Sequence, residues 1–107
     1  MEDHMNITLI TGCIAGVAQS KMAAKAMEKV AKEAGITIYI EEQGGHKVTQ
    51  KISSEQIDAS DLIIIASAVA ISGKQRFKGK KIYETSVSQA LLNPQKTLEN
   101  ALQLLKG

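Results

Sequence analysis

Two kinds of apolar periodicity alternate along the chain. The run from Asn6 to Thr11 is short, apolar and rich in β-branched residues, which predicts a strand. From Val17 to Ala34 the spacing changes: Met22, Ala23, Met27, Val30, Ala31 and Ala34 recur near one helical face, while Lys25, Glu28, Lys29 and Lys32 go elsewhere. That predicts an amphipathic helix with Met22 and Met27 in the core and Gly35 as its C-terminal cap. Ile36 to Glu41 predicts a second strand, followed at Glu41 to Gly45 by a glycine-containing loop at the sheet edge.

Ser53 or Ser54 can cap a short helix over Ser54 to Ser60. The run LIIIAS at Leu62 to Ser67 has no polar alternation, as expected of a parallel strand covered on both faces. A Gly- and Lys-rich turn, SGKQRFKGK, precedes a fourth strand in KIYETS, and Ser86 to Lys106 predicts helix broken or started at Asn93-Pro94. Alternating strands and helices predict an α/β fold of three layers: a four-stranded, mainly parallel sheet with helices on both faces. Right-handed crossovers put the strand-to-helix loops at one edge of such a sheet, where ligands bind near the switch in strand order.

Composition narrows the picture. The 107 residues, 44% hydrophobic, suit one domain spanning residues 1–107. Thirteen basic against eleven acidic residues give a net charge of +2, with the lysines scattered, and only Tyr39, Phe77 and Tyr83 are aromatic. Neither a basic footprint nor a set of stacking platforms is present, so nucleic acid is excluded as a partner. MEDHMNITLI lacks the basic segment and long apolar run of a signal peptide, and the apolar stretches are about half the ~20 residues of a membrane span, which predicts a cytoplasmic protein.

The one cysteine, Cys13, falls where the first strand ends and the first helix begins. A lone cysteine is often a small buried apolar residue. At this place, however, unpaired N–H groups and the positive end of a helix dipole favour a thiolate or a phosphate. Gly12 and Gly16 bracket the loop and let it curl, so that N–H groups from Ile14, Ala15, Gly16, Val17, Ala18 and Gln19 can point at one anion. Ser20 adds a hydroxyl that either reaches the anion or caps its own helix. Lys21 either adds positive potential or is solvated.

Other chemistries fit less well. A Walker A loop needs wider glycine spacing and Lys before Ser, whereas Ser20-Lys21 runs in reverse. A cysteine phosphatase needs an arginine six positions after the cysteine, where this chain has Gln19. There is no CxxC pair, and Cys13, His4 and His46 are spread too far in sequence for a recognisable zinc site; neither a metal nor a cofactor is called for.

The loop CIAGVAQSKMAA, the segment EEQGG, the strand DLIIIAS and the stretch RFKGKKIYETS occur in that order. Together they resemble the fructose-family IIB components of the bacterial phosphoenolpyruvate-dependent sugar phosphotransferase system, over Ile7 to about Leu105. The family's loop reads CPTGIAHT; here Ile14-Ala15 stands for Pro-Thr, and Gln19 for His. The resemblance implies that Cys13 would accept a phosphoryl group from a phosphohistidine on a IIA protein or domain. It would then donate that group to a sugar, fructose or a related one, bound by a membrane-embedded IIC permease with which the protein associates peripherally. The alternative is a regulatory or interaction module with a degenerate loop and little phosphotransfer; a small cysteine phosphatase is a weaker one, against which Gln19 argues. Arg76 and Phe77 are candidates for a partner surface, with Phe77 alternatively plugging the core.

Overall fold

The structure, a computed structural model, describes residues 5–13, 17–44, 47–50, 52–67, 71 and 73–106. Its elements run β1 (Asn6–Cys13), α1 (Val17–Glu33), β2 (Thr37–Gly44), β3 (Lys47–Gln50), α2 (Ser54–Ala59), β4 (Leu62–Ser67), a 3-10 helix (Lys74–Phe77), β5 (Ile82–Thr85), α3 (Val87–Leu92) and α4 (Pro94–Lys106). The sheet order is β3-β2-β1-β4-β5, with β1 in the middle. β1 pairs in parallel with β2 from Asn6↔Thr37 to Cys13↔Gly44, and with β4 from Ile7↔Leu62 to Gly12↔Ser67. β5 continues the parallel set beside β4.

These four strands are those the sequence predicts, and the α/β class holds. A fifth strand, β3, adds to them, pairing antiparallel with Glu42–Gly44 across a register shift. Consequently Glu41–Gly44, expected as a loop, is strand: β2 runs three residues further than its apolar pattern.

Strand parity builds two cores. Ile7, Leu9, Leu62, Ile64 and Ala66 face α1, α3 and α4, packing on Ala23, Met27, Ala90 and Leu98. Ile10, Ile63 and Ile65 face the other way, against Ile57 of α2 and Phe77. The uninterrupted apolar run of β4 thus serves both layers, as a parallel strand requires. Each such side chain, fully buried, contributes about 1.5–3 kcal/mol.

Met22 does not join the core; it is 54% exposed, whereas Met27 is fully buried. The buried stripe of α1 runs through Ala23, Ala24, Met27 and Ala31, and Met22 lies well round the helix from its centre.

Local chemistry sets the element ends. Gly35, at φ +75°, closes α1: its N–H donates to Lys32 O, and that of Ile36 to Ala31 O. Ser53, not Ser54, caps α2; its hydroxyl accepts from Gln56 N–H while the Gln56 side chain accepts from Ser53 N–H. Asn93-Pro94 divides the tail into α3 and α4, with Pro94 at the first helical position. No helix among the described residues is long and apolar enough to cross a membrane.

Candidate functional site

Cys13 is the last residue of the central strand β1, and α1 begins four positions later. The strands on either side of β1 are reached by crossovers over opposite faces, α1 leading to β2 and α2 to β4, so the end of β1 is the switch in strand order. α1 is 17 residues long and has no acidic residue in its first turn, so no carboxylate within that turn opposes the positive end of its dipole. Val17, Ala18, Gln19 and Ser20 form that first turn. Ile14, Ala15 and Gly16 lie outside the described residues.

Gly12 acts differently from expectation. It sits within β1 without a positive φ, so it does not curl the loop. What it provides is space: a Cβ there would come 2.8 Å from Ser67 Oγ and 3.4 Å from the Gln43 carbonyl oxygen. Glycine therefore lets the ends of β2 and β4 close on β1 one residue before Cys13. Gly12→Ala is expected to destabilise the fold by about 1–3 kcal/mol in urea denaturation. Adding Ser67→Ala, which removes the closest clash, is expected to recover part of that loss.

Thr11 is fully buried, and its Oγ1 is a buried side-chain polar atom without a hydrogen-bond partner among the described residues. By parity it follows Ile7 and Leu9 on the α1 face of the sheet.

On the opposite face lies a buried ion pair that no motif in the sequence announces. Glu41, on β2, is 1% exposed at its side chain and receives both terminal guanidinium nitrogens of Arg76, at 2.9 and 3.0 Å. Gln43 Nε2 donates to the same carboxylate at 2.7 Å, and Ile52 N–H at 3.1 Å. Arg76 Nε donates to Gly73 O at 2.7 Å, and its guanidinium lies 5.0 Å from the Phe77 ring centre. Burial pushes the Glu41 carboxyl up, but the hydrogen bonds from Arg76, Gln43 and Ile52 outweigh it and hold the group below its ordinary range. This network ties the end of β2 to the segment before α2 and to the turn that follows β4.

Two of the four sequence segments singled out above therefore meet through Glu41 and Arg76. Arg76 faces this carboxylate and Phe77 is core, so the pair does not form the partner surface considered for it. Lys21 and Lys25 are exposed on α1. Among the described residues no group of three or more His, Cys, Asp or Glu is placed to hold a metal ion.

Comparison with known proteins agrees with this arrangement. The profile of the family described as "PTS system, Lactose/Cellobiose specific IIB subunit" matches residues 8–100. A fructose-like PTS system EIIBC component of Escherichia coli (strain K12) is 45% identical over 95 residues, covering 87% of this chain and 20% of that protein. A fructose-like EIIB component 2 of the same organism is 33% identical over 85 residues, covering 79% of this chain and 80% of that protein. Among solved structures, a domain of the fructose-specific IIABC component of Borrelia burgdorferi superposes with a TM-score of 0.88 at 30% identity, covering 94% of this chain and 96% of that domain. The chain thus spans about a fifth of the length of the EIIBC relative and most of the length of the EIIB relative.

Proposed function

The chain belongs to the IIB family of the sugar phosphotransferase system, and on that premise we propose that it is a phosphocarrier whose Cys13 takes a phosphoryl group from a IIA phosphohistidine and gives it to a sugar. The observation that carries this reading is the position of Cys13: last residue of the central parallel strand, at the switch in strand order, just ahead of a 17-residue helix with no acid in its first turn.

In the first step the Cys13 thiolate attacks phosphorus in line with the histidine nitrogen. The S–P bond forms as the N–P bond breaks, leaving a neutral imidazole once a proton is taken from solvent. In the second step a sugar hydroxyl attacks the same phosphorus; an O–P bond forms, the S–P bond breaks, the hydroxyl proton leaves to solvent or a base, and the thiolate returns. Backbone N–H groups of Ile14 to Gln19 and the hydroxyl of Ser20 stabilise the equatorial oxygens, so catalysis rests on positioning and electrostatics. Without an arginine at Gln19 the phosphoryl group is not clamped, which suits a relay.

The relatives' names point to the sugar and partners. Those that combine B with A and C components carry fructose or mannosylglycerate designations, which favours fructose or a related sugar as acceptor and IIA and IIC components as partners. Incubation with phosphoenolpyruvate, the general components of the relay and a fructose-class IIA is expected to add one phosphoryl group per chain by intact mass. An adduct with the acid and base lability of a phosphothiol supports the reading, and absence of any adduct overturns it.

A further inference from the structure

We propose that the outer face of α1 around Met22 is the surface on which the phosphodonor protein docks, with Met22 as its apolar contact and Lys21 and Lys25 as its cationic rim. The proposal rests on the phosphocarrier reading for the need of a donor, and on the exposure, charge and position of these residues for the place where it binds.

A single exposed apolar side chain is ordinary on a folded protein, so position has to carry the argument. Among the described residues the exposed large apolar side chains are Met22, Leu92 and Leu104. Leu92 ends α3, a helix that starts after β5 and runs away from the edge where β1 ends. Leu104 accepts a hydrogen bond at its carbonyl oxygen from Lys81 Nζ, just ahead of β5 and so at the far edge of the sheet. Met22 is the one of the three beside the Cys13 edge: α1 starts there, and Met22 lies only about 7.5 Å of helix beyond Val17.

Packing does not account for Met22. The buried stripe of α1 is Ala23, Ala24, Met27 and Ala31, and Met22 stands roughly 150° round the helix from its middle. Its neighbours on the outer face are Lys21 and Lys25, both exposed, and the half-buried Ala26 one turn on. From Val17 to Met27 the helix carries those two lysines and no acid; Glu28 is the first. An apolar centre within a charged rim is the anatomy of a protein interface, and methionine is enriched in such interfaces.

Size and charge point to the occupant. A stable contact covers about 800 Å² on each partner, a patch about 30 Å across. A protein that brings a histidine-bound phosphorus to Cys13 therefore also covers the first turns of α1, which a sugar does not. The group it delivers is anionic, and Lys21 and Lys25 favour a donor whose surface around the phosphohistidine carries carboxylates and an apolar patch.

The test is titration of the intact protein against a fluorescently labelled, unphosphorylated fructose-class IIA, read by anisotropy. Met22→Ala is expected to weaken binding about 10-fold with the melting temperature unchanged, because an exposed side chain adds little to the fold. Met22→Leu, apolar and of similar volume, is expected to bind nearly as wild type does. Lys21→Glu joined to Lys25→Glu is expected to weaken binding at low salt and to remove most of its salt dependence. Equal affinity of Met22→Ala and wild type overturns the proposal, as do equal losses in the alanine and leucine variants, binding indifferent to the charge reversal, or a wild type that does not bind IIA. The phosphocarrier reading fails on a different result: a wild-type protein that binds IIA through Met22 and takes no phosphoryl group from its phosphorylated form keeps the docking surface and loses the carrier role.

Discussion

A Cys13→Ser protein, given the same phosphoenolpyruvate-driven relay, is expected to show no phosphoryl adduct above background, against one per chain for wild type. The exchange keeps the size and place of the side chain and removes its acidity. A thiol of ordinary pKa, about 8.5, already supplies a few per cent of thiolate at neutral pH. A serine hydroxyl at the same spot is not ionised at neutral pH. Even where serine did accept a phosphoryl group, an alkoxide leaves far less readily than a thiolate, so transfer to sugar stops. The measurement is intact mass after incubation, with release to sugar followed separately. Equal adduct on Cys13→Ser and wild type would move the acceptor elsewhere in the chain.

The parts of this site that are legible in the sequence are those encoded locally. An apolar β-branched run, a helix-period stripe and the uninterrupted LIIIAS each declare themselves within a few residues, and from them follow the parallel sheet, its two covered faces and the position of Cys13 at a strand end. β3 does not declare itself: Lys47–Gln50 is four residues, mostly polar, and is strand because β2 offers it an edge. The polar end of β2 is hidden for the same reason, since Glu42–Gly44 is held by pairing to β3 and not by apolar burial. The role of Gly12 depends on how closely Ser67 and Gln43 approach it, a distance that no local pattern contains. Glu41 and Arg76 are 35 positions apart, and read singly each is an ordinary charged surface residue. The signal that joins them is positional: Glu41 extends the alternation of Tyr39 onto the inner face of β2, and a carboxylate placed there needs a cation.

Arg76→Ala is expected to lower stability at neutral pH by about 3–5 kcal/mol, because it leaves the Glu41 carboxylate buried with its main counter-charge gone. For a domain whose total stability is about 5–15 kcal/mol, that is a large share. The pH dependence separates lost charge pairing from lost packing. In wild type the Glu41 carboxyl is held below its ordinary range, so its contribution is fully present above about pH 4.3 and is lost as pH falls through the lower, folded value. In Arg76→Ala the chief opposing influence is removed and burial pushes the carboxyl up, so the variant is penalised most where Glu41 must stay ionised. The difference between the two proteins in urea denaturation is therefore expected to be widest near pH 7 and to shrink below about pH 4. A gap of equal size at both pH values would assign the loss to the Arg76 stem over Phe77 and not to the ion pair. Joining Glu41→Leu to Arg76→Met, which removes both charges at once, is expected to recover part of the loss, the remainder reflecting Gln43 Nε2 and Ile52 N–H left without their acceptor. Since the same pair ties the end of β2 to the turn after β4, phosphoryl acceptance by Cys13 in folded Arg76→Ala is expected to fall roughly 10-fold or more through misplacement of the strands beside β1.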